Sequence, residues 1–88
     1  MPPARSRKRA DPQKNPVPRR ETLVALARNL RGERLRQGLK QEDLASRAKL
    51  NRTYVSKLER VANPNPSLGG IDRLAKALKV TLSELLRD

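Results

Sequence analysis

The sequence predicts an all-α fold: a compact domain of five short helices, residues 21–88, preceded by a flexible basic tail, residues 1–20. In the second part of the chain apolar residues recur every three or four positions, which is typical of helices with one buried face. Residues 1–20 instead hold five of the seven prolines and almost no large apolar residue. Such a segment cannot bury enough surface to offset the entropy lost on ordering. The length of 88 residues suits one small domain.

The composition favours an anionic partner and argues against catalysis. Lys and Arg number 21 against 9 Asp and Glu, a net charge of +12 that suits nucleic acid or an acidic membrane surface. Because the chain has no cysteine and no histidine, it lacks the usual metal ligands, the commonest general base and any disulfide. We expect no enzyme activity, cofactor, metal or small-molecule ligand. Neither a membrane span nor a signal peptide is present, so a cytoplasmic location is expected.

The tail carries half of the net charge, since residues 1–20 contain seven basic residues and one acidic residue. One interpretation is a basic arm that lies along phosphates or enters a minor groove. The other is a solvated extension. In either case Lys and Arg near DNA would strengthen binding.

The first helix is predicted over residues 22–37. Its inward face contains four apolar residues and one arginine: Leu23, Leu26, Ala27, Leu30 and Arg34. Gly38 follows as a left-handed helix stop.

Two short helices joined by a tight turn are predicted over residues 41–49 and 51–60. The first has an apolar face of Leu44, Ala45 and Ala48, and the second buries Val55 and Leu58. Asn51 occupies the N-cap position of the second. On a helical wheel the opposite face of that helix is rich in hydrogen-bond donors and has almost no acid: Arg52, Thr53, Ser56, Lys57 and Arg60.

A fourth helix is predicted over residues 68–79, with Ser67 as its cap, although Gly69 and Gly70 weaken its first turn. Thr81-x-x-Glu84 is a capping box that opens a fifth helix over residues 82–87. Leu85 and Leu82 are expected to complete the core. Leu86 is then left outside, where it suits a two-fold interface. Because an aliphatic core of this size is marginally stable alone, a homodimer is expected.

Several motifs in a fixed order connect the chain to a known family. They are Arg34-x-x-x-Gly38-Leu39-x-Gln41-x-x-Leu44-Ala45, then Asn51–Glu59, then Asn65-Pro66-Ser67-Leu68 and Leu74-Ala75-Lys76-Ala77-Leu78. Over residues 23–86 the chain resembles the Xre-type family of lambda-repressor-like and Cro-like helix-turn-helix regulators. Residues 52–60, RTYVSKLER, are most similar to the small controller proteins of restriction–modification systems.

The resemblance implies a lambda-repressor-like domain that inserts its third helix into the major groove of DNA. In that family an arginine at the place of Arg34 pairs with a glutamate at the place of Glu59, which would tie the first helix to the third. The alternative is a contact of Arg34 with DNA. Val61 stands where the family often has Gly, so the left-handed stop after the third helix is expected to be missing.

The predicted base contacts are Arg52, Thr53, Ser56 and Lys57. Arg52 can form a bidentate pair with guanine, and the small Thr53 and Ser56 can approach a base edge. The predicted phosphate contacts are Lys40, Gln41, Asn51, Tyr54, Arg60 and Asn65, of which Gln41 and Asn65 follow from the resemblance. A solvated charged face is the alternative for the third helix, and an ordinary exposed residue is the alternative for Gln41. Tyr54 has two open roles, packing against Leu58 and donating its hydroxyl to a phosphate.

The sequence therefore predicts a sequence-specific transcriptional regulator or repressor that binds double-stranded DNA as a homodimer on a palindromic operator. The controller-like residues suggest control of a restriction–modification operon, with the protein on the nucleoid when bound. The alternative is an antitoxin-type interaction module, which would need an exposed apolar patch. Val24, Leu35 and Leu86 are the only candidates for such a patch. RNA binding would require more stacking aromatic residues than the single Tyr54.

Overall fold

A computed structural model of the chain describes residues 18–88, so the predicted tail, apart from residues 18–20, lies outside the described residues. The described part is all-α, as the sequence predicts. It contains five helices and no strand: α1 (Arg20–Arg36), α2 (Gln41–Ala48), α3 (Arg52–Glu59), α4 (Leu68–Leu78) and α5 (Leu82–Leu86). Every helix begins and ends within two residues of its predicted bounds. The largest difference is at α1, which begins at Arg20 instead of residue 22.

An aliphatic core lies where the five helices meet. α1 packs against α3 and α5, and α4 packs against α2 and α5. Leucines from α1, α2 and α4 form the centre, each no more than 1% exposed: Leu26, Leu30, Leu44, Leu74 and Leu78. Val55 and Leu58 place the inner face of α3 on this core, as predicted. The opposite face of α3 is thereby directed outward.

Three helices begin at side chains that accept backbone N–H groups. Asn51 Oδ1 accepts the N–H of Thr53 at 2.7 Å, and Ser67 Oγ accepts the N–H of Gly70 at 3.0 Å. Thr81 and Glu84 form the predicted capping box, with distances of 2.8 and 3.0 Å. These contacts satisfy donors that would otherwise be unpaired at helix starts.

The start of α2 is satisfied in a different way. The Lys40 ammonium can only donate hydrogen bonds, so it cannot accept a backbone N–H and cap the helix. The carboxylate of Asp43, three residues later, accepts the backbone N–H of Lys40 at 2.9 Å. This is half of a capping box.

Left-handed residues follow four of the helices, and the first is the predicted stop Gly38 after α1, with φ of 72°. Lys49 and Lys79, with φ of 58° and 59°, end α2 and α4 one residue before the predicted bounds. The expectation that α3 lacks a left-handed stop is wrong, because Val61 has φ of 56°. The N–H of Ala62 then bonds to the carbonyl of Lys57 at 2.7 Å, which closes the end of α3. Val61 adopts this conformation although its β-branched side chain disfavours it.

One side chain of α1 and one just after it donate hydrogen bonds to carbonyl groups at the carboxyl ends of α4 and α5. Asn29 Nδ2 donates to the carbonyls of Leu85 and Arg87 at 2.8 and 2.5 Å. Just after α1, Gln37 Nε2 donates to the carbonyl of Leu78 at 2.8 Å. The expectation that Leu86 is left outside is wrong: it is half-buried and packs against the core.

Candidate nucleic-acid interface

α2 and α3 form the helix-turn-helix that the sequence predicts. They pack against each other and are joined by the three residues Lys49–Asn51. The left-handed conformation of Lys49 reverses the chain, and the Asn51 cap starts α3 at once. Since α3 is held from behind by Val55 and Leu58, its outer face has a fixed orientation.

The outer face of α3 brings together the predicted base contacts. Arg52, Thr53 and Lys57 are exposed, and Ser56 is half-buried. Arg60 is also exposed, and its Nε lies 3.3 Å from Ser56 Oγ. The ion pairs found within residues 18–88 involve none of these cations. The positive charge of Arg52, Lys57 and Arg60 therefore faces solvent, and no carboxylate within residues 18–88 neutralises it.

The predicted pair of Arg34 and Glu59 is present in the structure. Arg34 donates from Nε and NH2 to the two carboxylate oxygens of Glu59 at 2.7 and 2.8 Å, a bidentate geometry. Its NH1 donates to the carbonyl of Leu39 at 2.8 Å. The hydrogen bond to Glu59 raises the pKa of the Arg34 guanidinium above its ordinary value, although burial opposes the shift. Because all three nitrogens of Arg34 are used inside the protein, the geometry supports the structural alternative over a DNA contact.

A second contact of Glu59 was not foreseen from the sequence. Gln41 Nε2 donates to Glu59 Oε1 at 3.2 Å, and Gln41 Oε1 accepts from Arg52 NH1 at 3.3 Å. The half-buried Gln41 side chain therefore lies between the last residue of α3 and its first. In this arrangement the side-chain amide of Gln41 is occupied within the protein.

Lys40 and Asn51, two further predicted phosphate contacts, occupy separate places on the surface. Lys40 is exposed at the start of α2. Asn51, Thr53 and Lys57 line one surface depression with Asn63 and Pro64 of the loop after α3. Asn63 was not among the predicted site residues, although an Asn before Pro64 is a common turn signal.

Asn65 lies apart from that depression. It is exposed, and its backbone N–H bonds to the side chain of Asn63 at 3.2 Å. It lines a separate groove with Ser67 and Leu68, at the start of α4.

Tyr54 is packed instead of projecting to solvent. Its ring lies against the core, and its hydroxyl oxygen is buried without a hydrogen-bond partner in the described chain. Gly70 lies so close to the hydroxyl that a β-carbon there would collide with it. The packing alternative is thus the one observed, and a phosphate contact by Tyr54 would require the ring to move.

Residues 18–88 contain neither a metal-binding cluster nor a membrane-spanning helix. No group of three or more His, Cys, Asp or Glu side chains is placed to hold a metal ion. Nor is any helix in this range long and apolar enough to cross a membrane.

Comparisons with known proteins agree with this geometry. The model of a helix-turn-helix domain family matches residues 25–87. A hypothetical transcription factor of Neisseria meningitidis serogroup B is 44% identical over 63 residues, which cover 72% of this chain and 58% of that protein. The chain thus spans little more than half of that relative. The crystal structure of a hypothetical transcription factor from Neisseria superposes with a TM-score of 0.73 at 39% identity, covering 81% of this chain and 82% of the other.

Two restriction–modification controller proteins are also similar in structure. C.AhdI from Aeromonas hydrophila has a TM-score of 0.68 at 43% identity, covering 72% of this chain and 94% of the controller. C.Esp1396I has a TM-score of 0.67 at 32% identity, covering 74% and 86%. These relatives are regulators and not enzymes, which agrees with the sequence prediction. The chain belongs to the helix-turn-helix family of DNA-binding transcription factors and is similar to restriction–modification controller proteins.

Proposed function

We propose that the protein is a sequence-specific regulator that inserts α3 into the major groove of a palindromic operator as a homodimer. The observation that carries the proposal is the outer face of α3, where exposed Arg52, Thr53 and Lys57 have no acidic partner within residues 18–88 on a helix that is fixed from behind. A cationic, donor-rich helix of this kind matches the acceptors of guanine and the phosphates beside them.

Each predicted contact has a proposed role. Arg52 binds guanine O6 and N7, Thr53 and Ser56 approach neighbouring base edges, and Lys57 reaches a guanine or a phosphate. Phosphates are bound by Lys40, Asn51, Arg60 and Asn65, and by the backbone N–H of Gln41. These contacts fix the position of α3 on the duplex without specifying sequence.

A homodimer is supported by an apolar groove beside α4 and α5. Leu68 is 66% exposed at its rim, and Leu23, Ile71 and Leu86 line it. A second copy would cover this surface and add the burial that a small aliphatic domain needs. In a two-fold dimer, the two copies of α3 would bind half-sites about 34 Å apart.

The biological setting is proposed from the relatives. Their similarity to this chain suggests an operon of a restriction–modification system, with the protein in the cytoplasm and on the nucleoid when bound. We also propose that residues 1–20 form a separate basic segment that strengthens binding to any DNA, with the DNA-binding domain in residues 21–88. The antitoxin-type alternative has less support, because exposed Val24 and Leu35 are separated on α1 by exposed Arg28 and Arg31.

The proposal is tested by selecting preferred sequences from a random DNA pool and then measuring affinity for them. Arg52→Ala should weaken binding to the selected site by about 1–3 kcal/mol and relax the preference at one base position in each half-site. Arg28→Ala removes the same charge beside α5 and is the matched control, which should keep the preference. If the wild type selects no sequence, or if Arg52→Ala keeps every base preference, the proposed role of α3 is wrong.

A further inference from the structure

We infer that Glu59 is a positioning residue for base recognition: it orients the amide of Gln41, and Gln41 in turn holds the guanidinium of Arg52. The inference rests on the proposed function, in which Arg52 contacts a base. It assigns to Glu59 a role beyond its ion pair with Arg34.

The carboxylate of Glu59 is shared between two helices. Oε2 accepts from Arg34 Nε of α1 at 2.7 Å, while Oε1 accepts from Arg34 NH2 at 2.8 Å and from Gln41 Nε2 of α2 at 3.2 Å. The Glu59 side chain is only 4% exposed. Because Arg34 fixes the carboxylate at both oxygens, Oε1 is a stationary acceptor for Gln41.

A stationary acceptor selects one of the two orientations of an amide group. With its NH2 group toward Glu59, the carbonyl oxygen of Gln41 must point the other way, and there it accepts from Arg52 NH1 at 3.3 Å. The flipped amide would place its oxygen against a carboxylate and its NH2 group against a guanidinium, so both contacts would be lost. The orientation of Gln41 therefore depends on the negative charge of Glu59.

This contact restricts a side chain that is otherwise free. Arg52 is exposed at the first turn of α3, and Gln41 is its one side-chain partner within residues 18–88. An arginine in solvent must lose rotamer entropy when it binds a base. Since Gln41 uses a single N–H of Arg52, the other donors stay available for a bidentate pair with guanine. Holding Arg52 in place before binding thus favours the one base that suits that position.

Base preference distinguishes this role from a purely structural one. Glu59→Gln and Arg34→Lys both weaken the same ion pair, but only Glu59→Gln removes the charge that orients Gln41. We expect Glu59→Gln to relax the preference at the base position assigned to Arg52 by roughly two- to tenfold, the worth of one hydrogen bond. Arg34→Lys should destabilise the fold and relax that preference less than Glu59→Gln does, because the negative charge of Glu59 remains. Preferences are measured by selection from a random DNA pool and by titration of operators changed at single positions.

Gln41→Met provides a second variant that leaves the Arg34–Glu59 pair intact. It should relax the same base position without lowering the melting temperature, and it should have no further effect on base preference in an Arg52→Ala background. The inference is overturned if Arg52→Ala relaxes that position while Gln41→Met and Glu59→Gln keep it, or if both weaken all sequences equally. If Arg52→Ala itself keeps the base preference, the proposed function is wrong, and the inference that rests on it is wrong as well.

Discussion

Gly70, in the first turn of α4, lies directly against the ring of Tyr54 from α3. A β-carbon at Gly70 would meet the tyrosine hydroxyl and come within 2.7 Å of its ring carbon Cζ. At the neighbouring Gly69 a β-carbon would meet nothing within 4 Å. Two adjacent glycines that look alike in sequence therefore differ in function: only Gly70 allows α3 and α4 to approach.

Substituting alanine for each of the two glycines should change the free energy of unfolding in opposite directions. Gly70→Ala should lower the free energy of unfolding by about 1–3 kcal/mol, because Tyr54 must move. Gly69→Ala should raise it by up to about 1 kcal/mol, since alanine has the higher helix propensity and its methyl group has space. Urea denaturation followed by circular dichroism measures both. In a Tyr54→Leu background the cost of Gly70→Ala should shrink; an unchanged cost would show that the clash is elsewhere.

The positions of the helices could be predicted because they depend on local information. The spacing of Leu23, Leu26 and Leu30, the cap at Ser67 and the box at Thr81 each involve residues within a few positions of one another. They act whatever the rest of the chain does. The predicted outer face of α3 followed from the same periodicity, once Val55 and Leu58 were assigned to the core.

Local sequence patterns could not predict contacts between residues that are distant in the chain. The bond of Gln41 to Glu59 and the position of Tyr54 over Gly70 depend on how α2, α3 and α4 pack, which no local pattern encodes. Assigning Leu82 and Leu85 to the core left Leu86 outside, and only the packed fold shows the neighbours that cover it. The left-handed Val61 shows tertiary packing overriding local preference, because closing α3 requires a conformation that valine disfavours.

Replacing Val61 with glycine should therefore stabilise the protein. A non-glycine residue with φ of 56° bears a strain of about 1–3 kcal/mol, which Val61→Gly would relieve. Lys49→Gly and Lys79→Gly, at φ of 58° and 59°, are matched controls without a branched β-carbon. Thermal unfolding should show a gain for all three and the largest gain for Val61→Gly. A loss of stability at Val61 would mean that its half-buried side chain contributes more than the strain costs.

The capping box at α5 should make stability depend on pH in the acid range. Hydrogen bonds from Thr81, the backbone N–H first, hold the pKa of the Glu84 carboxyl below its ordinary value near 4.5. The unfolded chain therefore binds this proton more readily than the folded chain. The contribution of Glu84 is complete above the ordinary value and is lost as the pH falls through the lowered one. Bonds from Arg36 and Gln37 lower the pKa of Glu33 in the same direction.

Glu84→Gln should therefore weaken the pH dependence of stability in the acid range. The melting temperature of the wild type should fall on going from about pH 5 to about pH 3, and the variant should fall less steeply. At neutral pH the variant should melt lower, because an amide caps the Thr81 N–H more weakly than a carboxylate does. If the melting temperatures of the two proteins fall in parallel over the acid range, Glu84 does not contribute to the pH dependence of stability.

Removing residues 1–17 should weaken DNA binding without changing which sequence is preferred. This segment contains five basic residues and one acidic residue. Each cation that neutralises a phosphate adds about 0.9 to the slope of log affinity against log salt, so truncation should flatten that slope for specific and non-specific DNA alike. A full-length variant with the five basic residues changed to Gln is the matched control and should behave as the truncated protein does. If truncation instead lowers the melting temperature, the segment contributes to the fold, and a domain boundary near residue 20 is wrong.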